Sequence, residues 1–121
     1  MRIFKTKAFS RFQRRERIAD SGLLEAIERI ELGLVDADLG HALIKQRVAR
    51  PGEGRRSGFR TIVAYEAAAR AVFIYGFAKN QRSNVNEAQL SNLADFAVVL
   101  LGLGDDEVRL MMDEGELKEV L

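Results

Sequence analysis

The chain contains no cysteine, one histidine and one proline. Without cysteine there are no disulfides, thiolate metal sites, thiol nucleophiles or iron–sulfur clusters. With His41 as the lone imidazole, zinc sites and most histidine acid–base catalysis lose their basis. His41 itself, just ahead of a strand, reads as structural or incidental. No apolar run approaches the roughly 20 residues that span a bilayer, and the N-terminus MRIFKTKAFSRFQRRERI has no apolar stretch of signal-peptide length. A cytoplasmic protein with no membrane partner is therefore expected. A glycine-rich phosphate loop of the Walker or Rossmann kind is also missing, because Pro51-Gly52-Glu53-Gly54 falls between two strands. No paired carboxylates stand in a candidate cleft, so two-metal hydrolysis and glycosidase chemistry have little support. The chemistry expected of this chain needs neither metal nor cofactor.

What is present is a core and a lopsided charge. The 121 residues are 47% hydrophobic and 31% charged, enough for one folded core and one domain over residues 1–121. The formal net charge of +1 conceals a division along the chain. Residues 1–82 hold 17 Lys and Arg against 9 Asp and Glu, whereas residues 83–121 hold 2 against 9. A basic body thus carries an acidic tail. Between residues 45 and 60 stand Lys45, Arg47, Arg50, Arg55, Arg56 and Arg60 with only Glu53 opposing them. Arginine dominates that set, and guanidinium makes two-pronged contacts with phosphate and keeps its charge when partly desolvated. Such a footprint suits nucleic acid or a charged protein.

The hydrophobic spacing divides the chain into elements. Residues 2–5 suit a short strand, and Thr6 an N-cap for a helix over about 7–18 that buries Phe9, Phe12 and Ile18. Its outer face carries Arg11, Arg14, Arg15 and Arg17. A second helix over about 21–33 aligns Leu23, Leu24, Ile27, Ile30 and Leu34, pairs Glu25 with Arg29, and stops at Gly33. The period then shortens to about two in runs 42–50, 58–66 and 71–78, whose short connections force antiparallel neighbours. Asn86 and Gln89 form a capping box for a helix through Leu101, with Leu90, Leu93, Ala94, Ala97 and Leu101 inward. After Gly102 and Gly104, Asp105 caps a last helix bearing Val108, Met111, Met112, Leu117 and Val120. The expected fold is α+β and two-layered. It has two N-terminal helices, an antiparallel meander of three or four strands, and one or two C-terminal helices, with residues 102–121 forming an acidic helical extension.

Strand alternation puts Lys45 and Arg47 on one face and Ile44 and Val48 on the other. The 45–50 segment faces 58–64 across the meander, so some of these cations converge on one sheet surface. Tyr75 and Phe77 read as core residues, and Met111 and Met112 as ordinary helix packing. The acidic residues of 105–121 are expected to lie against the body's cations or to tune the binding of a partner.

Three blocks then become recognisable in order. Ile44-Lys45-Gln46-Arg47-Val48-Ala49-Arg50, Gly54-Arg55-Arg56-Ser57-Gly58-Phe59-Arg60-Thr61-Ile62 and Phe73-Ile74-Tyr75-Gly76-Phe77-Ala78-Lys79 resemble the RelE/ParE toxin superfamily, and within it the HigB/RelE-like branch. The resemblance covers essentially the whole chain. It implies the toxin of a type II toxin–antitoxin pair, a metal-independent endoribonuclease that cuts mRNA on the ribosome and so inhibits translation. The partners it implies are a cognate antitoxin, often a small helix-turn-helix DNA-binding protein, together with mRNA and the ribosome. In that chemistry a ribose 2′-OH attacks the adjacent phosphate, which calls for a proton acceptor, cations for the phosphorane oxygens and an acid for the leaving 5′ oxygen.

Carried onto this chain, the resemblance makes Lys45 and Arg47 the basic pair of the first core strand, Arg60 the transition-state cation and Lys79 the lysine after the last strand. Lys45 beside Arg47 is a candidate base or phosphate contact. Arg50, Arg55, Arg56 and Arg82 complete the RNA-binding set. Where the family pattern continues with Arg and then Tyr, this chain has Asn80 and a residue near Asn86, which leaves the general acid unassigned and Arg82 as a substitute cation. Two other readings stay open. One is a toxin of this fold that inhibits a protein target such as DNA gyrase, and the other a non-catalytic module that binds RNA or protein.

Overall fold

A computed structural model describes residues 1–49, 58–78 and 85–121. The order along the chain is β1 (Arg2–Thr6), α1 (Lys7–Glu16), α2 (Asp20–Glu31), β2 (Ala37–Gly40), β3 (Leu43–Val48), β4 (Phe59–Glu66), β5 (Arg70–Ala78), α3 (Glu87–Leu101), α4 (Asp105–Asp113) and β6 (Leu117–Glu119). The helix boundaries follow from local chemistry. Thr6 accepts the Phe9 N–H at the start of α1. At the end of α2, Gly33 with φ +80° and Leu34 return their N–H groups to the Ile30 and Arg29 carbonyls, a Schellman stop. Asn86 and Gln89 form the reciprocal capping box of α3. Glu25 and Arg29 pair at 3.0 Å on α2.

Among the described residues, six strands run in the order β2-β3-β4-β5-β1-β6. The β3-β4-β5 meander is antiparallel, as the short connections require, whereas β1 joins β5 in parallel and β6 closes antiparallel on β1. The α+β class and the helix pairs at both ends hold, but the sheet is wider than the period-two runs alone suggest. Leu117 belongs to β6, not to a continuous last helix. Gly115, with φ +79°, turns the chain after α4 so that Leu117 can pair with Thr6. Leu117 and Val120 have helical spacing, yet edge pairing with β1 decides their conformation. At the start of α4 the cap is Gly104, whose N–H is accepted by Glu107, and Asp105 is the first helical residue. Leu34 lies past the stop of α2 and is exposed.

Each face of the sheet buries a separate cluster. On one side Phe9 and Phe12 of α1 and Leu23, Ala26, Ile27 and Ile30 of α2 pack on Ile44, Val48, Phe59, Val63 and Phe73. On the other, Ala97 and Leu100 of α3 and Val108 of α4 pack on Phe4, Leu43, Ile62, Ala64, Val72 and Ile74. Met111 and Met112 lie partly buried against that second cluster. Arg70 of β5 donates to the Leu100 and Leu103 carbonyls, both at 2.9 Å, which satisfies the end of α3. Among the described residues, no helix is long and apolar enough to cross a membrane, and no group of side chains is arranged to hold a metal ion.

Gly76 shows how closely α1 lies on the sheet. A Cβ there would fall 2.4 Å from the Phe12 ring. Gly76→Ala should therefore cost about 1–3 kcal/mol through overpacking. A thermal melt should show Tm lowered by roughly 5–10 °C, with partial recovery when Phe12→Leu is added. An unchanged Tm would mean that the ring gives way freely.

Two ion pairs tie the N-terminal strand to its surroundings. Lys5 donates to Gln13 at 2.7 Å and to Asp20 at 2.9 Å, while the Gln13 amide donates to Asp20 and to the Ile18 carbonyl. Arg2 grips Glu119 of β6 with two contacts of 2.9 Å. The Gln13 amide, then Lys5, hold the Asp20 carboxyl below its ordinary range, and Arg2 does the same for Glu119. Both folded-state values lie below the unfolded ones. Their stabilisation is thus present above the ordinary carboxylate range of about 4 and is lost as pH falls through the depressed values. Tm should hold from neutral pH to about 5 and drop below about 4. The drop should be shallower in a combined Asp20→Asn, Glu119→Gln variant, and an identical acid limb would exclude these carboxylates as its source.

Candidate functional site

Along one face of the sheet, the residues change from apolar to cationic. On β3 the change runs from Leu43 to Lys45 and Arg47, and on β4 from Ala64 and Ile62 to Arg60. The register opposes Lys45 to Ile62 and Arg47 to Arg60, and on the next strand opposes Arg60 to Phe77 and Ile62 to Tyr75. Strand pairing thus brings together Lys45, Arg47 and Arg60, the three described members of the candidate catalytic set. Lys79, Arg50, Arg55, Arg56 and Arg82, and residues 51–54, lie outside the described residues.

These cations are not simply solvated. The side chain of Arg60 is 7% exposed and that of Lys45 16%, while Arg47 is 40% exposed. Like charges opposed on neighbouring strands repel, so a counter-ion is needed at their centre. It is Asp36, on the turn between α2 and β2, with a side chain 15% exposed. Its Oδ1 lies 3.0 Å from Arg47 Nε, and its Oδ2 lies 3.9 Å from Lys45 Nζ and 3.8 Å from Arg60 Nε. Three cations from two strands therefore share one carboxylate. The contacts are mainly electrostatic: Arg47 Nε is close to Asp36 but out of line for a hydrogen bond, and Arg60 Nη1 has no hydrogen-bond partner among the described residues.

Asp36 is held by Gln46. This side chain is fully buried beneath α2, on the sheet face opposite to the cations. Its Oε1 accepts the Asp36 N–H at 3.0 Å, and its Nε2 donates to the Ala26 and Leu34 carbonyls at 3.1 and 3.0 Å. Thr61 donates in turn to the Gln46 carbonyl at 2.9 Å. Arg29, already paired with Glu25, donates to the carbonyl of Arg47 and fastens α2 to the end of β3. Sequence reading missed both Asp36 and Gln46. One signal was available: Gln46 is a polar residue at an inward position between Ile44 and Val48, where a side chain with two donors and an acceptor must have buried partners.

The other expectations fare unevenly. Phe77 is buried as a core residue should be, whereas Tyr75 is half-buried, packed against the second cluster with its ring 5.9 Å from that of Phe77. His41 is an exposed residue of the β2–β3 turn, with φ +55°. The acidic tail meets the body through Glu119 and Arg2. Lys45, Arg47 and Arg60 are instead faced by Asp36, from the body itself.

A sheet of six strands among the described residues, carrying helices on both faces and clustered lysine and arginine at one end of a core strand pair, defines a small α+β protein whose candidate site gathers positive charge. The model of the family described as the RelE toxin of the RelE/RelB toxin–antitoxin system matches residues 1–120, and the chain belongs to that family. Its place is thus that of the toxin in a toxin–antitoxin system, and the family implies an antitoxin as partner. No curated protein matches the chain.

Proposed function

We propose that this toxin is a metal-independent endoribonuclease that cuts mRNA on the ribosome. The observation that carries this reading is the convergence of Lys45, Arg47 and Arg60 at one end of the β3–β4 pair, with Arg47 and Arg60 directly in register. A scissile phosphate lying on that face meets two guanidinium groups and an ammonium. As the ribose 2′ oxygen gives its proton to water and bonds to phosphorus, and the 5′ oxygen leaves and takes a proton from water, charge builds on the non-bridging oxygens, where such donors act most strongly. Arg60 is the least exposed of the three and serves as the principal transition-state cation. Lys45, whose neighbour is a carboxylate, serves as a phosphate contact. The ribosome orients the message, and orientation alone supplies roughly 7–11 kcal/mol. Free RNA is accordingly a poor substrate. In this reading the antitoxin, of the helix-turn-helix type, covers the cationic face or displaces an element beside it.

The test is purified protein added to translating ribosomes. Discrete cuts in the message are expected, and Lys45→Ala should reduce them by about tenfold or more through loss of one charge-assisted contact. A message left intact at every position would sink the proposal. Inhibition of DNA gyrase alongside such intact messages would put a protein target in its place.

A further inference from the structure

We propose that Asp36 is an internal competitor for the phosphate site: its carboxylate occupies the centre of the Lys45–Arg47–Arg60 cluster and must give way when an RNA phosphate binds. The inference rests on the reading of that cluster as the phosphate-binding face. It concerns an acidic residue for which that chemistry has no assigned use.

The geometry supports competition more than a permanent bridge. A carboxylate and the non-bridging edge of a phosphodiester both present two oxygens that share one negative charge. Asp36 places its two oxygens among cations from both strands, as a bound phosphate would. It satisfies them poorly, however. Two of its three contacts are 3.8 and 3.9 Å long, beyond hydrogen-bond reach, and the third, at 3.0 Å, is misaligned. The buried Arg60 Nη1 remains without a hydrogen-bond partner among the described residues. Donors thus remain for an anion that reaches them in better alignment, while the charge of Asp36 opposes its approach. Three cations against one carboxylate leave the cluster net positive, so it attracts an anion even with Asp36 in place. The backbone of Asp36 is fixed by Gln46. Arg47, the most exposed of the three cations, makes the shortest contact, so the pair can open by side-chain rotation without moving the sheet.

The sign of this inference separates it from a structural role. If Asp36 only shaped the site, removing its charge would weaken anion binding; as a competitor, its removal strengthens it. The experiment uses the full chain labelled with nitrogen-15 and carbon-13, titrated with inorganic phosphate and with a short single-stranded RNA, while the Nε–H signals of Arg47 and Arg60 are followed. Asp36→Asn should bind both probes about tenfold more tightly at low salt, and the gain should shrink as salt screens the lost charge. Asp36→Glu, which keeps the charge, should stay within about twofold of the parent chain. Equal or weaker binding by folded Asp36→Asn would overturn the inference. Should that variant not fold, the parent chain decides. Saturating phosphate must then shift the Asp36 carboxyl carbon signal with the same midpoint as Arg47 Nε–H, and a carboxyl signal that stays put would overturn the proposal. Tighter phosphate binding by Asp36→Asn, with messages left uncut by the parent chain, would retain the competitor and reject the endoribonuclease. Cut messages with no gain in Asp36→Asn would do the reverse.

Discussion

Arg60→Ala is expected to slow message cleavage on translating ribosomes by about 10²–10³-fold, the usual loss when one preorganised donor to a developing oxyanion is removed. The same change should leave stability nearly untouched or raise it. Arg60 is a buried cation directly opposed to Arg47, with its Nη1 unpartnered among the described residues. Its removal ends a like-charge opposition and relieves an incompletely satisfied buried charge. Loss of activity without loss of Tm is therefore the signature sought. Arg60→Lys should restore only a small part of the rate, because an ammonium lacks the planar fork of guanidinium. Cleavage at the parental rate by Arg60→Ala would remove this residue from the chemistry.

Gln46→Leu should have the opposite signature. Leucine is similar in bulk but leaves the part-buried Asp36 N–H and Leu34 carbonyl without their partner, while the Ala26 carbonyl keeps only its bond within α2. Unpaired buried groups cost about 1–3 kcal/mol each. A total loss of about 3–5 kcal/mol and a Tm lower by 10 °C or more are expected. Thermal unfolding followed by circular dichroism measures this directly. A Tm within about 2 °C of the parent would show that water or a loop shift replaces the amide. Because Gln46 lies on the α2 side and the cations on the α3 side, this residue links the packing of one face to the electrostatics of the other.

The strands that build the site were legible in the sequence, because the runs 42–50, 58–66 and 71–78 are rich in β-branched and aromatic residues and the connections between them are short. The grouping of Lys45, Arg47 and Arg60 followed from strand alternation and from the meander. What escaped notice depends on distant partners. Residues 37–40 are too few and too polar to announce a strand, and they become one by pairing with β3. Leu117–Glu119 lies in an acidic segment where helix spacing and strand pairing compete, and the edge of β1 settles the matter. Nothing in the spacing singles out Asp36, since its importance comes from three cations that folding brings to it. The family resemblance pointed to the cations alone and was silent on the carboxylate between them.

The placement of β1 also governs when the protein can become itself. Arg2 meets Arg70, and Lys5 meets both Phe73 and Lys118. The first strand to be synthesised therefore waits for segments made much later before its hydrogen bonds close, whereas β3, β4 and β5 are near neighbours and can assemble early. Pairings between segments so far apart in sequence raise the contact order and close slowly. A nascent chain can thus form the cationic strand pair while its sheet still lacks the β1 and β6 edge. For this toxin, the order of assembly separates the birth of the candidate site from the maturity of the molecule.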